Sequence, residues 1–342
     1  MSFLFRFVPN IRKKIFKAFR VGLLFGGLGV SFVAVGQVTG QLQVDGPHFK
    51  DASGNIVVLR GISLIGVQNL KTERKGAEFI INLLTDSSRG WHAKMLRLPV
   101  FPGQYFANPA RYVQNHLQPT VDLCVAKKLY CIIDWHYIDS PYKRLGETKS
   151  FWADMAARYK DNPYILFEIF NEPVTAASGS QAEWDKWKGF AQEIVDLIRQ
   201  TARKNIILVG GPHYSQHMRG AVSNPVTGKN IAYVAHIYPG GYYPLANKRS
   251  GNSADYWEYN AGVVADQFPV VVTEWGFGSD AYNETKGELA TFGLPFKAWA
   301  ESRNLSWTSW VADYAWYPVM FKRDYSPTEF GKFVREWLEQ GS

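Results

Sequence analysis

The sequence predicts an α/β protein built as a single (β/α)8 barrel. Eight apolar runs of strand length alternate with longer stretches of helical period. The runs are continuous rather than alternating, which suits parallel strands buried on both faces. No low-complexity linker interrupts residues 41–342, a span close to what such a barrel needs. A doubly wound open sheet is the nearest competitor, but it usually opens with a glycine-rich phosphate loop. After the first run this chain reads Ile65-Gly66-Val67-Gln68-Asn69 instead.

The chain begins with a leader. Residues 1–20 are basic, residues 21–36 are uncharged and apolar, and Ala34-Val35-Gly36 offers small residues where a signal peptidase reads. The expected division is therefore a signal peptide over 1–36 and the barrel over 37–342. An uncleaved anchor is the alternative. Either way the body is expected outside the cytoplasm, secreted, periplasmic or tethered to a membrane through the N-terminal segment alone. The leader also accounts for the charge. The formal net charge is +8, but Arg6, Arg12, Lys13, Lys14, Lys17 and Arg20 precede the first acid, Asp45. Removing those six from 38 basic residues leaves 32 against 30 acids, so the body gives no reason to expect nucleic acid as a partner.

The strand runs follow in order: Val57–Leu64, Ala93–Pro99, Leu129–His136, Tyr164–Asn171, Asn205–Gly210, Ile231–Tyr238, Pro269–Trp275 and Leu305–Val311. Between them, Ala182–Lys204 carries Trp184, Trp187, Phe190, Ile194, Leu197 and Ile198 at helical spacing. Ser326-Pro327-Thr328-Glu329 opens a last helix with Phe330, Phe333, Val334 and Trp337 along one stripe. The two cysteines, Cys124 and Cys131, fall on a helix and the next strand and are expected to be buried free thiols.

In a parallel barrel the chemistry sits where strands end. Here the second run carries Arg97, the third ends Asp134-Trp135-His136, the fourth Asn171-Glu172-Pro173, the sixth His236-Ile237-Tyr238 and the seventh Glu274-Trp275-Gly276, while the eighth carries Trp310. One polar strand end is usually a cap; several converging on one mouth point to a site. Glu172 and Glu274 lead. Two carboxylates across one mouth can cleave a glycosidic bond, with retention when they are about 5–5.5 Å apart. Glu172 would stay protonated by burial and nearby negative charge, and Glu274 would be kept ionised by Arg97 and the Tyr238 hydroxyl. Glu168 shares strand parity with Glu172, making it a candidate core ion-pair partner for Arg97. His213 and His217 are four apart, but no acid joins them, so they are read as loop residues rather than metal ligands.

These strand-end residues, in this order and in these slots, resemble glycoside hydrolase family 5 over roughly residues 41–340, with its bacterial endo-β-1,4-glucanases (cellulases) nearest. The resemblance implies a retaining barrel enzyme with Glu172 as acid/base and Glu274 as nucleophile. It implies that Asn171 bonds the sugar 2-hydroxyl and that Arg97 supports the nucleophile's charge. His136 and His236 would contact sugar hydroxyls or the carboxylates, Tyr238 would orient Glu274, and Trp310 would lie beneath the attacked sugar. It calls for no metal and no cofactor. The expected partner is a β-linked polysaccharide or oligosaccharide, and the expected state a monomer.

Aromatic residues make up 15% of the chain, with 12 Trp, 18 Tyr and 22 Phe, more than a core usually needs. Pyranose rings stack their C–H faces on such side chains. Trp135, Tyr137, Tyr214 and Trp275 are therefore candidate subsite aromatics, with Tyr142, Tyr242, Tyr243, Trp257 and Trp316 further along the loops. Gly240–Asn260 is expected to wall the cleft. Two stretches depart from many cellulases of the family: Ile65-Gly66-Val67 lacks an aromatic after strand one, and Val311–Trp316 lacks a basic or amide group. They leave open another β-glycan as substrate, mannan, xyloglucan or another β-glucan. A carbohydrate-binding barrel without catalysis is the alternative from a different class.

Overall fold

The computed structural model describes residues 40–176, 178–240, 254–279 and 284–341. The leader lies outside these residues. Among them, no helix is long and apolar enough to cross a membrane.

Eight parallel strands close into a barrel: β1 (Arg60–Ser63), β2 (Met95–Val100), β3 (Tyr130–Trp135), β4 (Ile165–Glu168), β5 (Ile207–Val209), β6 (Ile231–Ile237), β7 (Val270–Trp275) and β8 (Ser306–Ser309). Each pairs with its sequence neighbours, and β8 returns to β1 through Trp307↔Arg60, Thr308↔Gly61 and Ser309↔Ile62. Each strand lies in one of the eight apolar runs, except that β2 extends one residue past its own, to Val100. The first run is divided, however. Ile56–Val57 pairs antiparallel with His48–Lys50, which pairs with Gln43–Asp45, and β1 begins only at Arg60.

That small sheet closes the barrel floor. Leu42, Phe49, Val57 and Leu59 share a buried cluster with Met95, Ile132, Leu166, Leu208, Val234 and Val271. Strand side chains alternate with period two, so the next inward position up each strand carries Arg97, Asp134, Glu168, His236 and Thr273. The barrel interior is thus apolar below and polar above. The opposite parity, including Leu96, Ile133, Phe167 and Val272, packs against the helices in a second cluster.

The helices follow their sequence signals. In Gln181–Thr201, Trp184, Trp187, Phe190, Ile194 and Ile198 are buried, with Leu197 half-buried at the stripe's edge. Ser180 caps it by accepting the Glu183 N–H. Thr328 caps the final helix, Glu329–Gln340, by accepting the Gly331 N–H at 3.1 Å. Cys124 and Cys131 are buried free thiols.

Candidate active site

The polar layer is organised around Arg97, which is fully buried. Its Nε and Nη2 donate to the two oxygens of Glu168 at 2.8 and 3.0 Å, a bidentate pair. Nη2 also meets Asn171 Oδ1 at 2.6 Å and Asp134 Oδ2 at 3.0 Å, and Nη1 donates to Glu274 Oε1 at 2.7 Å. One guanidinium thus orients residues from strands β3, β4 and β7.

A β-bulge brings Glu274 into this layer. Ala235 pairs with Val272 but His236 pairs with Glu274, so Thr273 is the extra residue on β7. Thr273 faces inward and donates to Glu168 Oε1 at 3.0 Å, and Glu274, its neighbour, also reaches Arg97. Simple alternation would send one of the two outward; the bulge re-aims the second. Tyr238 completes the arrangement by donating its hydroxyl to Glu274 Oε2 at 2.9 Å.

Glu172 sits across the mouth. Its N–H bonds the Tyr137 carbonyl at 2.9 Å, and Glu172-Pro173 forms a two-residue parallel ladder with Ile138-Asp139. His236 Nδ1 lies 2.9 Å from Glu172 Oε1 and 3.7 Å from Glu274 Oε2, and its Nε2 lies 3.1 Å from Thr273 Oγ1. One oxygen each of Glu172 and Glu274 and a nitrogen of His236 all lie within 4.8 Å of one another.

The charges follow from these neighbours. Burial works against the Glu274 anion, but His236 and Arg97, with the Tyr238 hydroxyl, outweigh it and hold the carboxyl below its ordinary range. Glu168 behaves alike, lowered to about 2, burial being overcome chiefly by Arg97. His236 is disfavoured as a cation by burial, yet Glu274, Glu168 and Glu172 push it up to about 10. Glu172, His236 and Glu274 are also donor types that hold metals. Here both imidazole nitrogens are already engaged in hydrogen-bond contacts. The Glu172 side chain keeps 15% exposure against 7% for Glu274, so Glu172 is the more open to solvent.

His136 is held by Asp134, Nδ1 to Oδ2 at 2.6 Å, and lies parallel to the Trp310 ring with centroids 5.5 Å apart. Arg97, His136, Asn171, Glu172, His236, Tyr238, Glu274 and Trp310 thus gather around one mouth.

The aromatic candidates divide. Trp135 and Trp275 are corrected: both are fully buried among the helices and form no cleft wall. Trp135 has the outward parity of Cys131 and Ile133 and stacks on Phe151 at 4.0 Å. Trp275 follows Glu274 on the outward side and packs against Phe296, Trp307, Phe330 and Trp337. Trp257 is likewise core, against Phe292 and Phe296. Tyr137 is half-buried, stacked on Phe170 with Arg144 against its ring and its hydroxyl bonded to Glu147, so its backbone carbonyl serves the site more than its ring does. Tyr214 is half-buried in a left-handed stretch, His213 to Ser215, whose Ser215 hydroxyl donates to the Asn171 carbonyl at 2.6 Å. Tyr242, Tyr243 and most of the loop expected to wall the cleft lie outside the described residues.

Some contributors were not read from the sequence. Thr273 is hidden by the bulge. Phe101, beyond β2, brings its ring 4.6 Å from His136 and 5.9 Å from Trp316, through a loop geometry that periodicity does not encode.

A closed parallel barrel with two carboxylates meeting over its C-terminal mouth defines a glycoside hydrolase. The family model described as cellulase (glycosyl hydrolase family 5) matches residues 51–315, and the chain belongs to that family. Among curated proteins it is 29% identical over 298 residues to the cellulase CelDZ1 of Thermoanaerobacterium sp., covering 83% of this chain and 74% of that one. It is 28% identical over 287 residues to endoglucanase E-5 of Thermobifida fusca, covering 79% of this chain but 55% of the relative. Against an endoglucanase of Halalkalibacter akibai it spans only 35% of the relative's length. Among solved structures, the β-glucanase SdGluc5_26A of Saccharophagus degradans superposes with a TM-score of 0.78 at 26% identity, covering 90% of this chain and 95% of that one. That β-glucanase has also been solved in complex with cellotetraose.

Proposed function

We propose that the protein is a secreted, retaining endo-β-1,4-glucanase that cleaves internal bonds by double displacement. The observation that carries this reading is the approach of Glu172 and Glu274, with one oxygen of each within 4.8 Å of the other. Retaining pairs stand about 5–5.5 Å apart; inverting pairs need about 6.5–9.5 Å to admit a water. Glu274 attacks the anomeric carbon, for which its ionised state and its grip by Arg97 and Tyr238 suit it. Glu172 protonates the leaving oxygen and then, as carboxylate, activates the water that releases the sugar. Asn171, held by Arg97, presents its amide to the sugar beside Glu172, and Trp310 supports the attacked ring. The glucan specificity is supported by relatives named cellulase, endoglucanase and β-glucanase.

Proton NMR of the first products from cellotetraose or barley β-glucan tests this reading. The β-anomer is expected first; an α-anomer rejects double displacement. Glu172→Gln and Glu274→Gln are each expected to lower kcat by several orders of magnitude with thermal unfolding little changed. Reducing-sugar release from carboxymethyl cellulose, barley glucan, mannan and xyloglucan decides the substrate, glucans being expected to lead.

A further inference from the structure

The charge of the body is nearly balanced in sum but not in place. Seven connections bring the chain from a helical element back to the start of strands β2 to β8. In a parallel barrel all of them lie at the end opposite the mouth. Lys94 precedes β2, Lys127-Lys128 precede β3, Lys160 precedes β4, Arg203-Lys204 precede β5 and Lys229 precedes β6. With Arg89 and Arg303 the seven connections hold nine bases, against the three acids Asp86, Asp161 and Asp266. The body as a whole has 32 bases and 30 acids, so what remains of it carries 23 against 27. The underside is basic and the rest of the body is slightly acidic.

Most of the acids at that end are already engaged. Asp266 meets Arg303 at 2.9 Å, and Asp86 accepts the backbone N–H and the hydroxyl of Ser88. In the floor sheet Asp45 is paired with Lys50, and Asp51 accepts the N–H groups of Ser53 and Asn55. The cations are not engaged. Among the described residues, none of the seven from Lys94 to Lys229 has an ion-pair partner, and all are exposed. Arg203, Lys204 and Lys229 line one hollow together with Gln41, Asn230 and Gln267, and no carboxylate faces it.

The chain also enters the body at this end. The Gly40 carbonyl accepts the Tyr130 hydroxyl at 2.6 Å, the Gln41 amide donates to the Lys204 carbonyl at 3.1 Å, and the Val44 N–H donates to Asn230 Oδ1 at 3.0 Å. The uncharged apolar run over 21–36 is therefore joined to the body among these cations.

We propose that the underside is an interaction surface for an anionic phospholipid bilayer, on which the body rests with its mouth turned away. The inference goes beyond the β-glucan reading and does not depend on it. Unpaired cations near an anionic surface each add to the attraction, and they act through their own charge without a shaped pocket. The cations here are spread over five consecutive strand starts rather than lined up along one groove, and an apolar segment joins the chain among them. A plane of headgroups fits both features; a strand of nucleic acid, held along a groove by stacked bases, fits neither.

The test keeps the full chain and silences its leader. In the test background Arg6, Arg12, Lys13, Lys14, Lys17 and Arg20 are replaced by Gln, and Leu23, Leu24, Phe25 and Leu28 by Ser, so that vesicle binding reports the body. Co-sedimentation is measured with vesicles of phosphatidylcholine alone and with about one-third phosphatidylglycerol. The background chain is expected to prefer the anionic vesicles and to lose that preference in about 0.5 M sodium chloride. Lys127→Gln, Lys128→Gln, Lys204→Gln and Lys229→Gln together are expected to lower partition onto the anionic vesicles by about a hundredfold, and Arg at the same four positions to preserve it. Lys71→Gln, Arg111→Gln, Lys186→Gln and Lys332→Gln remove the same charge elsewhere and are expected to cost no more than about threefold. Equal partition onto both vesicle types, or an equal loss from the two sets, overturns the proposal. Equal partition together with retention on immobilised polyphosphate makes the partner a soluble polyanion, and the lipid reading falls.

Discussion

Arg97 engages four partners through one planar group, and Lys in its place would keep the charge without the fork. Arg97→Lys is expected to destabilise the fold by roughly 1–3 kcal/mol, the range for buried polar groups left without a hydrogen bond, as read by urea unfolding. Tyr238→Phe is subtler. It removes one donor from Glu274 and leaves its burial and its charged neighbours in place. The Glu274 carboxyl should then titrate at higher pH, because its anion loses a hydrogen bond. Because Glu274 must be ionised to attack, the acidic limb of the kcat/KM profile is expected to move to higher pH. An unmoved limb would detach Tyr238 from the nucleophile's ionisation.

At the scale of elements, the last helix is pinned at its start by Thr328, whose hydroxyl accepts the Gly331 N–H and donates to the carbonyls of Val319 and Met320. Thr328→Ala is expected to lower stability by about 1–2 kcal/mol in denaturant unfolding, with kcat unchanged. That cap was legible, because Ser-Pro-Thr-Glu before an apolar stripe is a local signal. So were the eight strands and the Arg97–Glu168 pair, since parity alone places both side chains inward. Strand-end tryptophans were harder to place. Trp135 and Trp275 stand beside mouth residues in sequence but on the opposite face of their strands, and a bulge had to be known before Glu274 and Trp275 could be assigned sides. The bidentate pair of Arg74 and Asp313 was not legible either: the two are 239 positions apart and meet through loops with no repeating period.

The whole molecule carries a buried ionic layer over an apolar floor, and its stability depends on pH from both sides. Glu168 is lowered from 4.5 to about 2, so its contribution is complete above about pH 4.5 and disappears as pH falls through about 2. His236 is raised from 6.5 to about 10, so its contribution is complete below about pH 6.5 and disappears as pH rises through about 10. Calorimetric melting temperatures are therefore expected to peak between about pH 4.5 and 6.5 and to decline on either side. Glu168→Gln should flatten the acid decline, and an acid limb as steep as in the parent would place its origin elsewhere. The floor has a temporal consequence. Leu42 and Phe49, among the earliest residues of the body to be synthesised, belong to a buried cluster that is completed by Val234 and Val271, which are made far later. Until β6 and β7 arrive, that greasy underside has only part of its cover. Seating the first hairpin becomes one of the last events of maturation, and the ribosome must release most of the cylinder before its base can seal.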